Sequence, residues 1–301
     1  MEMLSLRSSM TVVYYMNLLE QTQYLIKKTG LKPDKLKGQN FCIDDELLKE
    51  IVKAADVSGK DTVLEVGAGF GFLTTELLKK AKKVIAVEMD SKLVKVLKQL
   101  EKFNDNLEII EGDILQIPRN KFQVTKKSQI PNLKFQNYKI VANLPYSITS
   151  TFLKKFLTGE LKPESMTLLI QKEVAQRICA RAGQMSLLAL SVQLYAQPKI
   201  IRFVSKNSFW PKPKVDSAIL QIDKIGGFPY QSQVEEQKFW QVLKIGFSAK
   251  RKTLENNLAN GFYLPKEKAR QIIVQAGLKP ISRAQELSLA EWLRLAKSFN
   301  F

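Results

Sequence analysis

From residue 61 onward, short apolar runs alternate with amphipathic stretches. "DTVLEVGAG" precedes "FLTTELLKKA", and "KKVIAVEMD" precedes "SKLVKVLKQL". "NLEIIEGDIL" and "YKIVANLPY" continue the series, followed by "STFLKKFL" and by "SMTLLIQKEVAQRIC", which carries a strand into a helix. Buried strands alternating with helices at this spacing describe a parallel sheet covered on both faces. The fold class expected is α/β and Rossmann-like. Upstream, "NLLEQTQYLIKKTG" has helical spacing with Gly30 as its stop, and "DDELLKEIVKAADV" reads as a helix with acids in its first turn.

The pattern changes after "KIIRFVSKNSFWPKPKVDSAILQIDK", which reads as two antiparallel edge strands around a proline-rich turn. Gly226-Gly227-Phe228-Pro229 is a break, and everything beyond it is expected to be helical. "VEEQKFWQVLKIGF" sets Phe239 or Trp240, Leu243 and Phe247 on one stripe. "LPKEKARQIIVQAG" opens with Pro265 at a first helical position and stops at Gly277, and Ser288 and Glu291 have capping-box spacing. The expected organisation is a lead over 1–16, disordered or mis-assigned with Met16 as a candidate start, then an α/β domain over 17–225 and a small all-helical domain over 226–301. Residues 117–137, rich in Lys, Asn and Gln, make a long connection of a kind that is often functional.

Charge and missing residue types narrow the chemistry. Lys and Arg number 47 against 29 Asp and Glu, a net +18 that attracts polyanions, nucleic acid before acidic membrane surfaces. There is no histidine, which removes Ser-His and Cys-His nucleophile pairs and the usual histidine-ligated metal sites. Two cysteines, Cys42 and Cys179, form neither a disulfide framework nor a zinc ribbon and suit a reducing, cytoplasmic compartment. No apolar run reaches the roughly 18 residues of a membrane span. The opening residues carry Glu2 and Glu20 and no clear cleavage site, which argues against a secretory signal.

In "VLEVGAGFGFLT", Gly67, Gly69 and Gly71 stand between a strand and a helix, where glycine lets a ligand lie against main-chain atoms. A close strand–helix turn alone would also explain such a loop. A dinucleotide fingerprint needs glycine or alanine where this chain has Phe72. The next strand ends in Glu88, which could accept hydrogen bonds from both ribose hydroxyls of a nucleoside, and the third leads to Asp113, which could accept from an adenine amine. A glycine loop plus two acids at successive strand ends is a nucleoside signature at the carboxyl edge of the sheet. With no phosphate-gripping lysine in the loop, S-adenosylmethionine fits better than NAD or ATP.

"NLPY", residues 143–146, ends a further strand at the same edge. The Asn143 side-chain oxygen and a backbone carbonyl beside Pro145, that of Leu144, can hold both N–H groups of an adenine amine and so encourage its nitrogen to pyramidalise. Tyr146 can stack on the base, an interaction worth about 1–3 kcal/mol. No strong base is required, because the amine becomes acidic only after alkylation. An Asn-Pro turn with a core Tyr is the alternative reading.

Together these residues resemble the adenine N6,N6-dimethyltransferases of small-subunit ribosomal RNA (the KsgA type) over residues 17–301. The resemblance rests on "GQNF" (38–41), "EVGAGFG", "VEMD", "GDIL", "NLPYSITS", "GQMSLLAL", "FWPKPKVDSA", "KRKTLENNL" and "RAQELSL". It implies a class I S-adenosylmethionine-dependent methyltransferase domain with a small C-terminal helical domain. It places cofactor contacts on Asn40, Gly67, Glu88, Asp113 and Asn143, with Cys42, Gly69, Met89 and Ile114 beside them in the same motifs. It makes Asn143, Leu144, Pro145 and Tyr146 the acceptor motif, with Phe209 covering the other face of the base. Two positions depart from the family pattern: Cys42 stands where Leu is usual, and Gln285 where an acid is common. Lys250, Arg251 and Lys252 read either as RNA-phosphate contacts or as a solvated face. The implied activity is methylation of two adjacent adenines near the 3′ end of small-subunit rRNA, each twice, within a pre-ribosomal particle, by a cytoplasmic monomer using neither metal nor membrane. The rivals are a large-subunit rRNA adenine methyltransferase of the macrolide-resistance type, a non-catalytic assembly or transcription factor on the same fold, and, more distantly, a nicotinamide enzyme.

Overall fold

The computed structural model describes residues 16–34, 38–117, 138–159, 162–229 and 233–299. Residues 1–15 of the expected lead and 118–137 of the expected long connection lie outside them. Helix α1 (Leu18–Thr29) starts in a reciprocal cap, the Asn17 side chain on the Glu20 N–H and the Glu20 carboxylate on the Asn17 N–H, and stops at Gly30. Strand β1 (Phe41–Cys42) leads into α2 (Asp45–Ala54), capped by Asp44. The alternation follows as β2 (Thr62–Val66), α3 (Phe72–Leu78), β3 (Lys83–Glu88), α4 (Ser91–Glu101) and β4 (Leu107–Glu111). Beyond it come β5 (Tyr138–Asn143), α5 (Thr149–Leu157), β6 (Ser165–Gln171), α6 (Lys172–Ile178), α7 (Leu187–Gln193), β7 (Gln197–Val204), β8 (Phe209–Trp210) and β9 (Ser217–Asp223). The remainder is helical: α8 (Gln233–Gly246), α9 (Leu254–Gly261), α10 (Lys266–Gln275) and α11 (Leu289–Ser298).

Seven strands form one sheet in the order β4-β3-β2-β5-β6-β9-β7. The strands from β4 to β6 are parallel, and β9 runs antiparallel to β6. Consecutive residues of the central strands are buried, Val63 with Leu64 and Ile140 with Val141, so both faces of the sheet are covered. Each such aliphatic side chain contributes about 1.5–3 kcal/mol by leaving water. The chain runs outward through β3 and β4, then returns to the other side of β2 as β5. That reversal opens a crevice at the carboxyl ends of β2 and β5, where α/β sheets bind ligands. The register pairs Val66 with Ala142, so Gly67 and Asn143 are the next residues at that edge.

The chain divides into two units, one of residues up to Lys172 with Ile200–Asp223, the other of Glu173–Lys199 with the residues from Lys224 on. Glu173–Lys199 thus falls in the same unit as the C-terminal helices, whereas the expected organisation has it in the α/β domain. Hydrogen bonds within that unit explain why: Gly183 and Met185 both donate to the Gln285 carbonyl at 3.0 Å, and Gly226 donates to that of Tyr195 at 2.8 Å. The contact at Gln285 uses its backbone, so the residue type there leaves it unchanged.

In the helical unit Phe239 and Leu243 are buried, which makes Phe239 the member of the α8 stripe, and Phe247 stacks on the fully buried Trp292 at 5.3 Å. Gly246 lies against the same ring, and a Cβ there would be driven into it. Alanine would gain roughly 1 kcal/mol of helix propensity and lose about 1–3 kcal/mol to overpacking. Gly246→Ala is therefore expected to lower the urea midpoint, and a raised midpoint would contradict this packing.

Candidate active site

The turn after β2 is where backbone conformation decides what can stand at each position. Gly69 has φ +59°, and a Cβ there would sit 3.3 Å from the Phe41 ring. Its N–H donates to Glu88 Oε2 at 2.9 Å, while Glu88 Oε1 accepts from the N–H groups of Met89 (2.8 Å) and Asp90 (3.0 Å). Burial pushes the Glu88 carboxyl above the usual carboxylate range, against the pull of those three donors. A carboxylate offers about four acceptor directions, and the one left open is on Oε2. That supports one further hydrogen bond more readily than the two expected from a ribose.

At the end of β5, Asn143 Nδ2 donates to the Asn40 carbonyl at 3.1 Å. A carbonyl can only accept, so this contact settles which end of the amide faces Asn40 and turns Oδ1 away from it. Oδ1 takes no hydrogen bond from a described residue. The segment holding Asn40 is pressed close: at Gly38, φ +65°, a Cβ would meet Pro145 Cβ at 3.1 Å. Gln39 anchors that segment, donating to Asp90 Oδ2 at 3.1 Å and accepting from Asp34 N–H at 2.8 Å. Tyr146 opens a short helical turn, its hydroxyl sharing a 2.8 Å hydrogen bond with Ser217 Oγ.

One cavity draws these pieces together. Of the residues expected to hold a cofactor, Asn40, Cys42, Gly67, Gly69, Glu88, Met89 and Asn143 line it, and Pro145 joins them from the acceptor motif. Leu144 is buried behind the wall at 1% exposure. Asp113 and Ile114 lie in the turn after β4 and are not on the cavity wall. Asp113 caps its own turn, Oδ1 on Leu115 N–H at 2.9 Å and Oδ2 on Gln116 Nε2 at 3.2 Å, and Ile114 is buried. Phe209 is 3% exposed and packs in the core around Cys42, its β-bridge partner. Lys250, Arg251 and Lys252 are exposed and belong to the helical unit. Cys42 is a wall residue whose thiol stays protonated, burial pushing it up to about 12.

Glu65 also lines the cavity and was not among the residues expected there. The signal was a lone carboxylate inside the otherwise apolar strand "TVLEV". It is 1% exposed, with Oε2 lacking any hydrogen-bond partner among the described residues. Burial, with the Glu88 carboxylate adding to it, pushes its carboxyl up to about 8.

Among known proteins, the family model described as ribosomal RNA adenine dimethylase matches residues 32–300. The chain is 41% identical to ribosomal RNA small subunit methyltransferase A of Dehalococcoides mccartyi over 285 residues, 94% of each chain. It is 38% identical to the protein of that name from Clostridium botulinum over 281 residues, 91% of this chain and 97% of that one. A dimethyladenosine transferase from Plasmodium falciparum superposes with a TM-score of 0.66 at 27% identity, covering 85% of this chain and 95% of that one. The 23S rRNA methyltransferase ErmE superposes at 0.67 with 24% identity, covering 86% and 99%, a likeness of fold.

The Glu65 environment carries a pH signature. Folded, this carboxyl keeps its proton to about pH 8, against an ordinary value of 4.5. Its contribution to stability is therefore fully present below the ordinary value and lost as pH rises through the folded one. Urea midpoints are expected to fall from pH 5 to pH 9 more steeply for the wild type than for Glu65→Gln. Parallel profiles would show that the side chain is not held in its neutral form.

Proposed function

We propose that this chain, which belongs to the ribosomal RNA adenine dimethylase family, methylates N6 of two neighbouring adenines near the 3′ end of small-subunit rRNA, each twice, within a pre-ribosomal particle. The observation that carries the reading is the Asn143 amide: its nitrogen is committed to Asn40, and its oxygen is left for an incoming donor on the wall of a cavity shared with Gly67, Gly69 and Glu88.

The cavity's residues fit S-adenosylmethionine. Glycine at 69 leaves the wall open where any side chain would close on Phe41, and Glu88 keeps one acceptor direction for a hydroxyl. Asn40, Cys42, Gly67, Met89 and Asn143 would complete its surroundings, with Asp113 taking the adenine amine and Ile114 packing beside it. Bound there, the cofactor supplies a methyl group made electrophilic by a sulfonium sulfur.

The chain's own residues then need only hold the acceptor. Asn143 Oδ1 and the Leu144 carbonyl accept the two N–H groups of the target amine, which favours a pyramidal nitrogen with its lone pair exposed. Pro145 fixes the backbone between acceptor and ring. Tyr146, its hydroxyl tied to Ser217, offers a ring at a set angle for the base to stack on. In this reading Phe209 meets the base's other face, which requires that ring to be uncovered as the base enters. Alignment of nucleophile and methyl supplies much of the acceleration, and the methylated amine releases its proton to solvent without a dedicated base. An adenine must leave its stack to reach such a cavity. Lys250, Arg251 and Lys252 serve as phosphate contacts on the helical unit. No helix is long and apolar enough to cross a membrane, and no cluster of three metal-ligating side chains occurs among the described residues. The proposed setting is the cytoplasm, with the chain acting as a monomer.

Labelled methyl incorporation into 30S-like particles from a strain lacking the modification, followed by digestion and mass analysis, tests the reading. N6,N6-dimethyladenosine is expected with the wild type, and Asn143→Ala is expected to lose on the order of 10²–10³-fold, as for other oriented polar groups of an active site. Full activity in that variant would remove Asn143 from the chemistry. Methyl groups on large-subunit rRNA together with macrolide resistance would move the target to the other subunit. Removing any one of Lys250, Arg251 or Lys252 is expected to flatten the log–log salt dependence of RNA binding by about 0.7–0.9. An unchanged slope would make that residue solvated surface.

A further inference from the structure

Lys155 closes a turn with its side chain. From α5 its ammonium donates to three carbonyls of a single turn, those of Ile114 (2.8 Å), Leu115 (2.9 Å) and Ile117 (2.9 Å). An ammonium has three N–H donors and no acceptor, so three convergent carbonyls suit it well. Its neighbour Lys154 is exposed, whereas Lys155 is half-buried. The turn it grips is the one that carries Asp113. Asp113 Oδ1 holds the Leu115 N–H, and the Asp113 carbonyl accepts from Gln116 and Ile117, both at 2.9 Å. One end of the turn is therefore capped by Asp113 and the other by Lys155. Half-buried carbonyls aimed at one point would repel one another and lack partners without a cation between them.

The location of α5 gives this tether its meaning. The helix begins at Thr149, directly after the helical turn Tyr146–Ile148 that follows Asn143, Leu144 and Pro145. Phe152, Leu153, Phe156 and Leu157 anchor it in the core. Lys155 thus spans from the helix that follows the acceptor motif to the turn carrying the acid read as recognising the cofactor's adenine.

We propose that Lys155 is a positioning residue that fixes the Asp113 turn for recognition of the cofactor's adenine amine, tying that recognition to the helix of the acceptor motif. The proposal rests on the reading of Asp113 given above. It acts through that turn and touches no reacting atom.

The test separates the two. Dissociation constants for S-adenosyl-L-homocysteine and for S-inosyl-L-homocysteine, which has a keto oxygen in place of the amine, are measured by calorimetry on the full chain. The wild type is expected to prefer the adenosyl ligand by about tenfold or more, the scale of one charge-assisted hydrogen bond. Asp113→Ala should abolish the preference, Lys155→Met should cut it severalfold, and the double variant should behave like Asp113→Ala alone. Both ligands are read on the same folded molecules, so a general loss of stability cancels in the ratio. Lys155→Arg keeps the charge but cannot aim three N–H bonds from one atom, and an intermediate preference is expected. This second variant carries the test should Lys155→Met fail to fold. An unchanged preference in both Lys155 variants, with Asp113→Ala deficient, would overturn the proposal and leave Asp113 standing. An unchanged preference in Asp113→Ala would overturn the reading of Asp113 and the proposal with it.

Discussion

The hydrogen bond from Asn143 to the Asn40 carbonyl is the contact on which the site turns. An amide offers an acceptor and a donor of nearly the same shape, and an unanchored side chain would present either. By drawing the nitrogen end toward itself, the Asn40 backbone turns the acceptor end away and toward any ligand. The bond also joins two parts of the chain that lie 103 residues apart. Asn40 belongs to the segment preceding the first strand of the small β-ribbon, and Asn143 to the centre of the main sheet. Gly38 against Pro145 and Gln39 against Asp90 make that junction close.

The groups around the cavity suit a reaction that needs acceptors and alignment. With no histidine available, the ionisable side chains on the wall are Cys42, Glu65 and Glu88. Burial keeps the thiol protonated, raises Glu65 to about 8, and leaves Glu88 engaged by three backbone donors. None is arranged as a free base. The site offers oriented oxygens, which is what a weakly nucleophilic aromatic amine requires before alkylation.

The sheet and the crevice were legible because their determinants are local. Apolar runs, a glycine turn and acids at strand ends follow one another within short stretches, and the strand-end rule converts them into a shared edge. Other features depend on contacts between distant segments. Phe209 reads from the resemblance as a cover for the base, and nothing near it in the sequence shows that it bridges to Cys42 in the core. Asp113 reads as an acceptor for an adenine amine, and its sequence gives no sign that the carboxylate also caps its own turn. Nothing in the sequence around Gly183 and Met185 hints that their backbone groups meet Gln285. Glu65 was overlooked because a charge in a buried strand resembles an exception to the pattern, when its burial beside Glu88 is what makes it unusual.

The ribbon of β1 with β8 has a consequence for how the chain is made. Phe41 and Cys42 find their strand partners only at Trp210 and Phe209, and the same junction is sealed by Ser208 Oγ on Asp44, 164 residues further along the chain. At typical rates of synthesis that separation lasts on the order of ten to thirty seconds. Throughout that interval the segment that must orient Asn143 has no ribbon to join. The parallel strands, the last ending at Gln171, are therefore all synthesised before the strand that pairs with Phe41 and Cys42 exists.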